Sequence, residues 1–374
     1  MGKGIRIPVH LGERSYEIWV TQDRLRALGG LLRRLRIGQT AVVVANPDAF
    51  RNHGPHLLRA LRRAGFDTHL LRHFPTKENS EKAKSWEYAR RLIRDLVHLK
   101  KSGSDLFLLC FAGGVLGDLT GFVASIYKRG IPYVQVPTTL LAQVDSAIGG
   151  KTAIDLPEGK NLVGAFHQPR LVYSDISILQ DLPLESLRQG LSEAIKYGVI
   201  QSERFFRLFE TSHRGILKRD PMLLQKIVET CSRMKARIVE QDEYDRKKKR
   251  MILNYGHTLG HALEAVDIRI GHGNAISVGM LLEADIAEGL GLLPGEAANR
   301  LEHLLKKIGL PTTVSQLYNH RRWTVARILE AERYDKKFVH GRNRYVLPMR
   351  IGKVVVKEGI PYSLIRHVLK DRLT

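Results

Sequence analysis

The sequence predicts an α/β domain followed by an all-α domain, and three observations carry that expectation. Short β-branched or apolar runs recur through the first half with helical periods between them, and strands apolar along their whole length belong to parallel sheets covered on both faces. From about residue 183 the alternation stops and helical periods dominate. The chain has 374 residues, more than one hydrophobic core usually serves. The change of texture at 177–183 therefore reads as a domain boundary.

Ile5, Ile7, Val9 and Leu11, then Tyr16, Ile18 and Val20, alternate around Gly12–Ser15, the pattern of a hairpin. A basic amphipathic helix leads to a strand at 41–45, and another helix covers 55–64. Further strands are expected at 67–71, 105–111, 133–136 and 171–175, with helical segments between them. The second half reads as helices at 184–200, 205–217, 221–241, 250–266, 275–290 and 295–308. An extended pair at 344–347 and 353–356 precedes a short terminal helix.

Hydrophobic residues at 43% and charged ones at 26% describe a globular chain, and no apolar run of about 18 residues suggests a membrane span. The opening residues enter polar/apolar alternation directly, without the apolar block of a signal peptide. Two cysteines make no disulfide framework, so a cytoplasmic location is expected. The net charge is +22. No zinc finger or aromatic-interleaved basic stripe accompanies it, so a basic surface that handles small anionic ligands is expected and nucleic acid is not.

The stretch 250–264 carries the strongest local chemistry. Leu253, His257, His261 and Glu264 recur at i, i+4, i+8 and i+11, one face of a helix. Two histidines four apart can converge on a divalent cation, but a zinc protease of that kind has Glu directly after the first histidine. Thr258 stands there, so peptide hydrolysis is not supported. On spacing alone the pair reads equally as core or surface histidines.

Earlier, Ala112-Gly113-Gly114-Val115-Leu116-Gly117-Asp118 follows a strand and opens a helix. Backbone N–H groups there can meet a phosphate. The spacing is not Gly-x-Gly-x-x-Gly, and a plain tight turn reads as well. Thr138, Thr139, Asp145, Lys151 and Gly159-Lys160-Asn161 follow the next strand end, where parallel sheets bind ligands. The two lysines read as point charges for an anion or as solvated loop residues. Glu193 and Lys196 share a helix face at i and i+3. They form a surface ion pair, or else Glu193 joins His257 and His272 around a catalytic metal.

Together these blocks resemble the 3-dehydroquinate synthase family of the sugar-phosphate cyclases, over nearly the whole chain and most densely at 111–200 and 235–280. The resemblance implies a Rossmann-like NAD-binding α/β domain at 1–180 and an all-α metal- and substrate-binding domain at 181–374. It implies conversion of the seven-carbon phosphate DAHP to 3-dehydroquinate and phosphate in the shikimate pathway. The steps would be oxidation by NAD, phosphate elimination, reduction and an intramolecular aldol. Glu193, His257 and His272 match ligands of Zn2+ or Co2+, and His261 matches a proton-transfer residue. Glu81, Lys84, Gly114, Val115, Leu116, Gly117, Asp118, Thr138 and Thr139 fall at NAD contacts, together with Lys151 and Lys160. Lys151, Lys196, Lys235, Arg250 and Asn254 match catalytic substrate contacts, and Asp145, Lys160 and Asn161 further ones. Arg129 resembles an arginine lent to a neighbouring subunit's phosphate site, which implies a homodimer. Asp335-Lys336-Lys337 matches a substrate motif and leaves open which lysine makes the contact.

Two departures bear on the site. A family triple glycine is here Ala112-Gly113-Gly114, and a His-Gly-Glu is His272-Gly273-Asn274. The second removes a carboxylate beside a ligand and is expected to loosen the metal site. Cyclases that form 2-deoxy-scyllo-inosose or valiolone-type products use substrates without DAHP's carboxylate. Retention of Lys235, Arg250 and the Asp-Lys-Lys motif therefore favours DAHP. A metal- and NAD-dependent alcohol dehydrogenase of the same fold is the alternative from another class.

Overall fold

A computed structural model describes residues 4–71, 81–99, 105–317, 323–334 and 343–373. The chain divides into two compact units, Met1–Leu182 with Pro221–Tyr244, and Pro183–Asp220 with Asp245–Thr374.

The strands of the first unit are β1 (Ile5–Val9), β2 (Tyr16–Thr21), β3 (Thr40–Ala45), β4 (Asp67–Leu71), β5 (Leu106–Ala112), β6 (Tyr133–Pro137), β7 (Lys151–Leu156), β8 (Gly159–Phe166) and β9 (Leu171–Asp175). Among the described residues, seven of them form one sheet in the order β1-β2-β9-β6-β5-β3-β4. Within that sheet the β1–β2 hairpin is antiparallel and the other described pairs are parallel. Alternate residues of β3 and β5 enter two separate cores. Val42, Val44, Leu108 and Cys110 pack with Leu92 and Leu96 of α3 (Trp86–Leu99) and Leu119 and Phe122 of α4 (Gly114–Ile126). Ala41, Val43, Phe107 and Leu109 pack with Leu28 and Leu32 of α1 (Leu28–Leu35) and Leu57 and Leu61 of α2 (Pro47–Arg63). Continuous apolar strands are thus buried on both faces, as their composition requires.

Two features of this unit depart from the linear reading. Between β6 and β9, where a helical segment is expected, the chain instead forms a single π turn at Ala142–Ser146 and the β7–β8 hairpin. Sequence continuity puts the helix at 221–241 on the helical side of one boundary. In the structure α7 (Pro221–Gln241) belongs with the first unit: it packs on the Ala142–Ser146 turn, β1 and β2, and buries Leu224, Ile227, Val228 and Cys231.

The second unit is mostly helical. It contains α5 (Leu184–Gln201), α6 (Glu203–Leu217), α8 (His257–Val266), α9 (His272–Gly289), α10 (Gly295–Ile308), α11 (Val325–Tyr334) and α12 (Tyr362–Leu373). The expected extended pair is the hairpin β10 (Arg344–Arg350) and β11 (Lys353–Glu358). The single helix expected at 250–266 is broken. A 3-10 turn covers Lys249–Asn254, and α8 starts only after Gly256, which adopts a left-handed φ of 78°. A Cβ there would lie 2.6 Å from Met280 Cγ, so α9 and the backbone twist together demand glycine. Leu253 therefore does not share the histidine face. Among the described residues no helix is long and apolar enough to cross a membrane, and both cysteines are buried and form no disulfide.

Candidate active site

Three helices of the second unit meet at one carboxylate. Glu193 sits in the middle of α5, 1% exposed. Its Oε1 lies 3.3 Å from His257 Nε2 and 3.1 Å from His272 Nε2. His257 and His272 are the first residues of α8 and α9. One donor atom from each of the three residues lies within 4.8 Å of the others.

Hydrogen bonds orient both rings. His257 Nδ1 is 3.0 Å from the Tyr255 carbonyl. A carbonyl only accepts, so Nδ1 carries the proton and the Nε2 lone pair faces Glu193. Burial, reinforced by Lys196, lowers this imidazole to about 4, so it is a neutral base at neutral pH. His272 Nδ1 is 3.1 Å from Glu264 Oε2. Burial opposes its charge, but Glu264 and Glu193 raise it to about 10. Burial likewise opposes ionisation of Glu193, yet Lys196 and then His257 hold it well below the usual carboxylate range. Lys196 Nζ lies 2.5 Å from Glu193 Oε2 and donates to the Leu253 carbonyl at 2.8 Å. An ionised carboxylate and an imidazole lone pair that face one another at 3.3 Å could hold a cation between them. Two imidazoles and one carboxylate, with the second imidazole backed by its own carboxylate, suit Zn2+ or Co2+.

Glu264 is the residue that linear reading left without a role. Asn274, in place of the family's carboxylate, turns back to the Ile270 carbonyl at 2.9 Å. The carboxylate at His272 comes from Glu264 instead, eight residues earlier on α8, so the loosening expected from Asn274 is offset. His261, one turn beyond His257, has its ring 5.2 Å from that of His257 and 6.1 Å from that of His272. Arg250, 4% exposed, and half-buried Asn254 lie on the 3-10 turn whose Leu253 carbonyl receives Lys196.

The first unit gathers a second set of residues at the strand ends. Strand order reverses between β3 and β5, the position at which open α/β sheets bind ligands. The turn after β5 begins α4 there. Its N-cap, Gly113, brings no capping side chain, so first-turn N–H groups are available to an anion. A Cβ on Gly114 would lie 2.6 Å from Ser146 Oγ, and one on Gly113 3.1 Å from Thr139 Cγ2. Leu116 and Gly117 are buried and Val115 packs on the core, so these three can offer a cofactor little beyond backbone. Thr138 N donates to the Ala112 carbonyl at 2.9 Å, and Thr139 Oγ1 accepts from Ala142 N at 3.2 Å.

Charge pairs surround this turn. Lys84 Nζ is 2.5 Å from Asp118 Oδ2, and Lys160 Nζ is 3.3 Å from Glu81 Oε1. Burial keeps the Asp118 carboxyl above its ordinary range although Lys84 opposes it. The β7–β8 hairpin contributes Asp155, whose N–H meets the Lys84 carbonyl at 2.7 Å and whose Oδ1 accepts from Asn161 N at 2.8 Å. Lys235 of α7 reaches the π turn, 2.9 Å from Asp145 Oδ1 and 2.7 Å from the Asp145 carbonyl. Lys151 is exposed at the start of β7. Exposed Arg129 and its neighbour Lys128 take left-handed φ values of 67° and 50°. Asp335, Lys336 and Lys337 lie outside the described residues.

Comparison with known proteins adds identity to this geometry. A family model described as 3-dehydroquinate synthase N-terminal matches residues 75–189, and one described as 3-dehydroquinate synthase C-terminal matches residues 190–338. The 3-dehydroquinate synthase of Pelotomaculum thermopropionicum is 40% identical over 365 residues, 97% of this chain and 95% of its own length. A crystal structure of 2-deoxy-scyllo-inosose synthase complexed with carbaglucose-6-phosphate, NAD+ and Co2+ matches with a TM-score of 0.85 at 24% identity, over 98% of this chain and 100% of that one. The structure of 2-epi-5-epi-valiolone synthase from Streptomyces hygroscopicus subsp. jinggangensis with NAD+ and Zn2+ bound gives 0.85 at 24%, over 97% and 98%. The two structures share the fold. With both parts matched by the family's models and a relative at 40% identity over 97% of its length, the chain belongs to the 3-dehydroquinate synthase family.

Proposed function

We propose that this chain is a 3-dehydroquinate synthase that converts DAHP to 3-dehydroquinate and phosphate in the shikimate pathway, with NAD and Zn2+ or Co2+ as cofactors. The observation that carries the proposal is the convergence of Glu193, His257 and His272 beside the buried Lys196. Bound NAD would accept and later return a hydride, and the metal would act as a Lewis acid toward substrate oxygens.

The chain's own residues supply the rest. Glu193, His257 and His272 hold the metal, and Lys196 keeps Glu193 ionised. The Gly113–Gly114 turn, Thr138, Thr139, Glu81, Lys84 and Asp118 form the NAD site, where glycine lets backbone N–H groups approach a pyrophosphate. Lys151, Lys160, Asn161, Lys196, Lys235, Arg250 and Asn254 orient the substrate's carboxylate and phosphate by charge-assisted hydrogen bonds. Asp145 binds substrate and holds the Lys235 ammonium in place. His261 moves the proton, and the leaving phosphate can share that task. Arg129, exposed on its left-handed turn, is offered to a neighbouring copy, so the active species is a homodimer. A cytoplasmic location belongs to the same proposal.

Incubation of the purified chain with DAHP, Zn2+ and catalytic NAD+ should release phosphate and 3-dehydroquinate without net NADH. Stoichiometric NADH would favour an alcohol dehydrogenase. Faster turnover of glucose 6-phosphate or sedoheptulose 7-phosphate than of DAHP would make the chain a different cyclase.

A further inference from the structure

Glu283 is fully buried in α9, and none of the roles described so far uses it. Its Oε2 accepts from Gly256 N at 2.7 Å and its Oε1 from Thr258 N at 3.0 Å. These two N–H groups flank His257. Helix α8 cannot cap itself, because Gly256, its N-cap, has no side chain. Its first-turn donors would otherwise be orphaned in the interior. A single carboxylate from another helix satisfies two of them, and its negative charge suits the positive end of the α8 dipole.

The same face of α9 carries His272, Ile276, Gly279 and Glu283, at i, i+4, i+7 and i+11. Along it the two helices run at backbone contact. A Cβ on Gly279 would overlap Gly256 O, and one on Gly260 would lie 2.8 Å from Ile276 Cδ1. At the other end, Glu264 of α8 reaches His272 Nδ1 at 3.1 Å. Each helix therefore lends a carboxylate to the start of the other, and each start is a residue that faces Glu193.

We infer that Glu283 is a positioning residue for the metal site, fixing the register of α8 on α9 and so the separation of His257 from His272. The inference rests on the proposal that Glu193, His257 and His272 are the metal ligands. Glu283 touches no reacting atom; it acts through the backbone on either side of His257.

Glu283→Gln keeps the shape but leaves one acceptor for two N–H donors and turns an amide N–H toward the other. Zn2+ affinity by chelator competition should fall about 10–100-fold, the usual range for groups that orient a ligand. The visible spectrum of the Co2+-loaded chain should change with it. The control is Leu301→Ala, which opens a cavity in α10 and lowers the melting temperature of the metal-free chain while leaving Zn2+ affinity and the Co2+ spectrum as in the parent. If Glu283→Gln does not fold, Glu283→Asp, still ionised but one methylene shorter, carries the same measurements. Loss of stability with Zn2+ affinity kept within about threefold and an unchanged Co2+ spectrum would overturn the inference alone. A parent chain that takes up no Zn2+, or whose Zn2+ survives His257→Ala, would overturn the ligand assignment as well.

Discussion

The two units handle charge in opposite ways. In the second, Lys196 and Glu193 pair with side chains 2% and 1% exposed, closed in by α5, α8 and α9. In the first, the pairs Lys84–Asp118, Lys160–Glu81 and Lys235–Asp145 have 9% and 21%, 35% and 35%, and 7% and 26% of their side chains exposed. A small ion needs donors already fixed in a dry interior, because its site must be assembled before it arrives. In the first unit Lys84 and Lys235 are themselves buried, but their carboxylate partners keep an open side, and the Lys160–Glu81 pair is open on both. The cost of error differs accordingly. Removing one partner of a buried pair typically costs about 3–5 kcal/mol, and among these pairs Lys160–Glu81 lies nearest the about 0–1 kcal/mol of exposed ones.

Substitutions that sharpen this contrast can be ranked. The largest effect is expected from His257→Ala, which deletes a donor facing Glu193. Bound Zn2+ and phosphate release should both fall by more than about a hundredfold, beyond what loss of a merely orienting partner causes. Metal content after dialysis checks it, and NAD+ affinity in the other unit should stay unchanged.

Lys235→Ala removes the cation held against Asp145. Losing a charge-assisted contact of about 1.5–3 kcal/mol should lower kcat/KM for DAHP roughly ten- to a hundredfold. Zn2+ titration should be that of the parent; a loss of zinc would erase the proposed division between the units. Glu264→Gln weakens the support of His272 and should do the reverse. Zn2+ affinity should drop by about ten- to fiftyfold while NAD+ binding, followed by fluorescence, is kept.

Gly114→Ala places a methyl 2.6 Å from Ser146 Oγ. Overpacking of this kind costs about 1–3 kcal/mol, and it should appear as weaker NAD+ binding that Ser146→Gly relieves. The smallest effect belongs to Asn274→Ala, which removes one local bond to Ile270. Zn2+ affinity should move by less than about threefold, near the 0.5 kcal/mol scatter of neutral substitutions. A larger loss would mean that Asn274, and not Glu264 alone, orients His272.

What could be read from the linear chain follows from the range of the forces involved. Strand and helix texture is local, so Leu171–Asp175, Pro221–Gln241 and Gly295–Ile308 coincide with the spans their periodicity predicts. The donors Glu193, His257 and His272 stood out as residue types in recognisable motifs, and their convergence is what three packed helices then provide. The break at Gly256 was not legible, because only the packing of Met280 from α9 forces a left-handed glycine into an otherwise helical pattern.

The sequence by itself therefore determined most of the sheet strands and helices, their order and which residues were candidates to bind a metal, a phosphate or a carboxylate. Tertiary structure alone decided that α7 completes the sheet unit, that Lys235 rests on Asp145, and that Glu264 and Glu283 serve the starts of α9 and α8. The physical reason is separation along the chain. Periodicity and backbone propensity act over a few residues, whereas Lys235 and Asp145 stand 90 positions apart. Glu283 stands 27 positions from Gly256. A carboxylate's partner at that distance is chosen by which apolar faces pack together, and no local pattern records the choice.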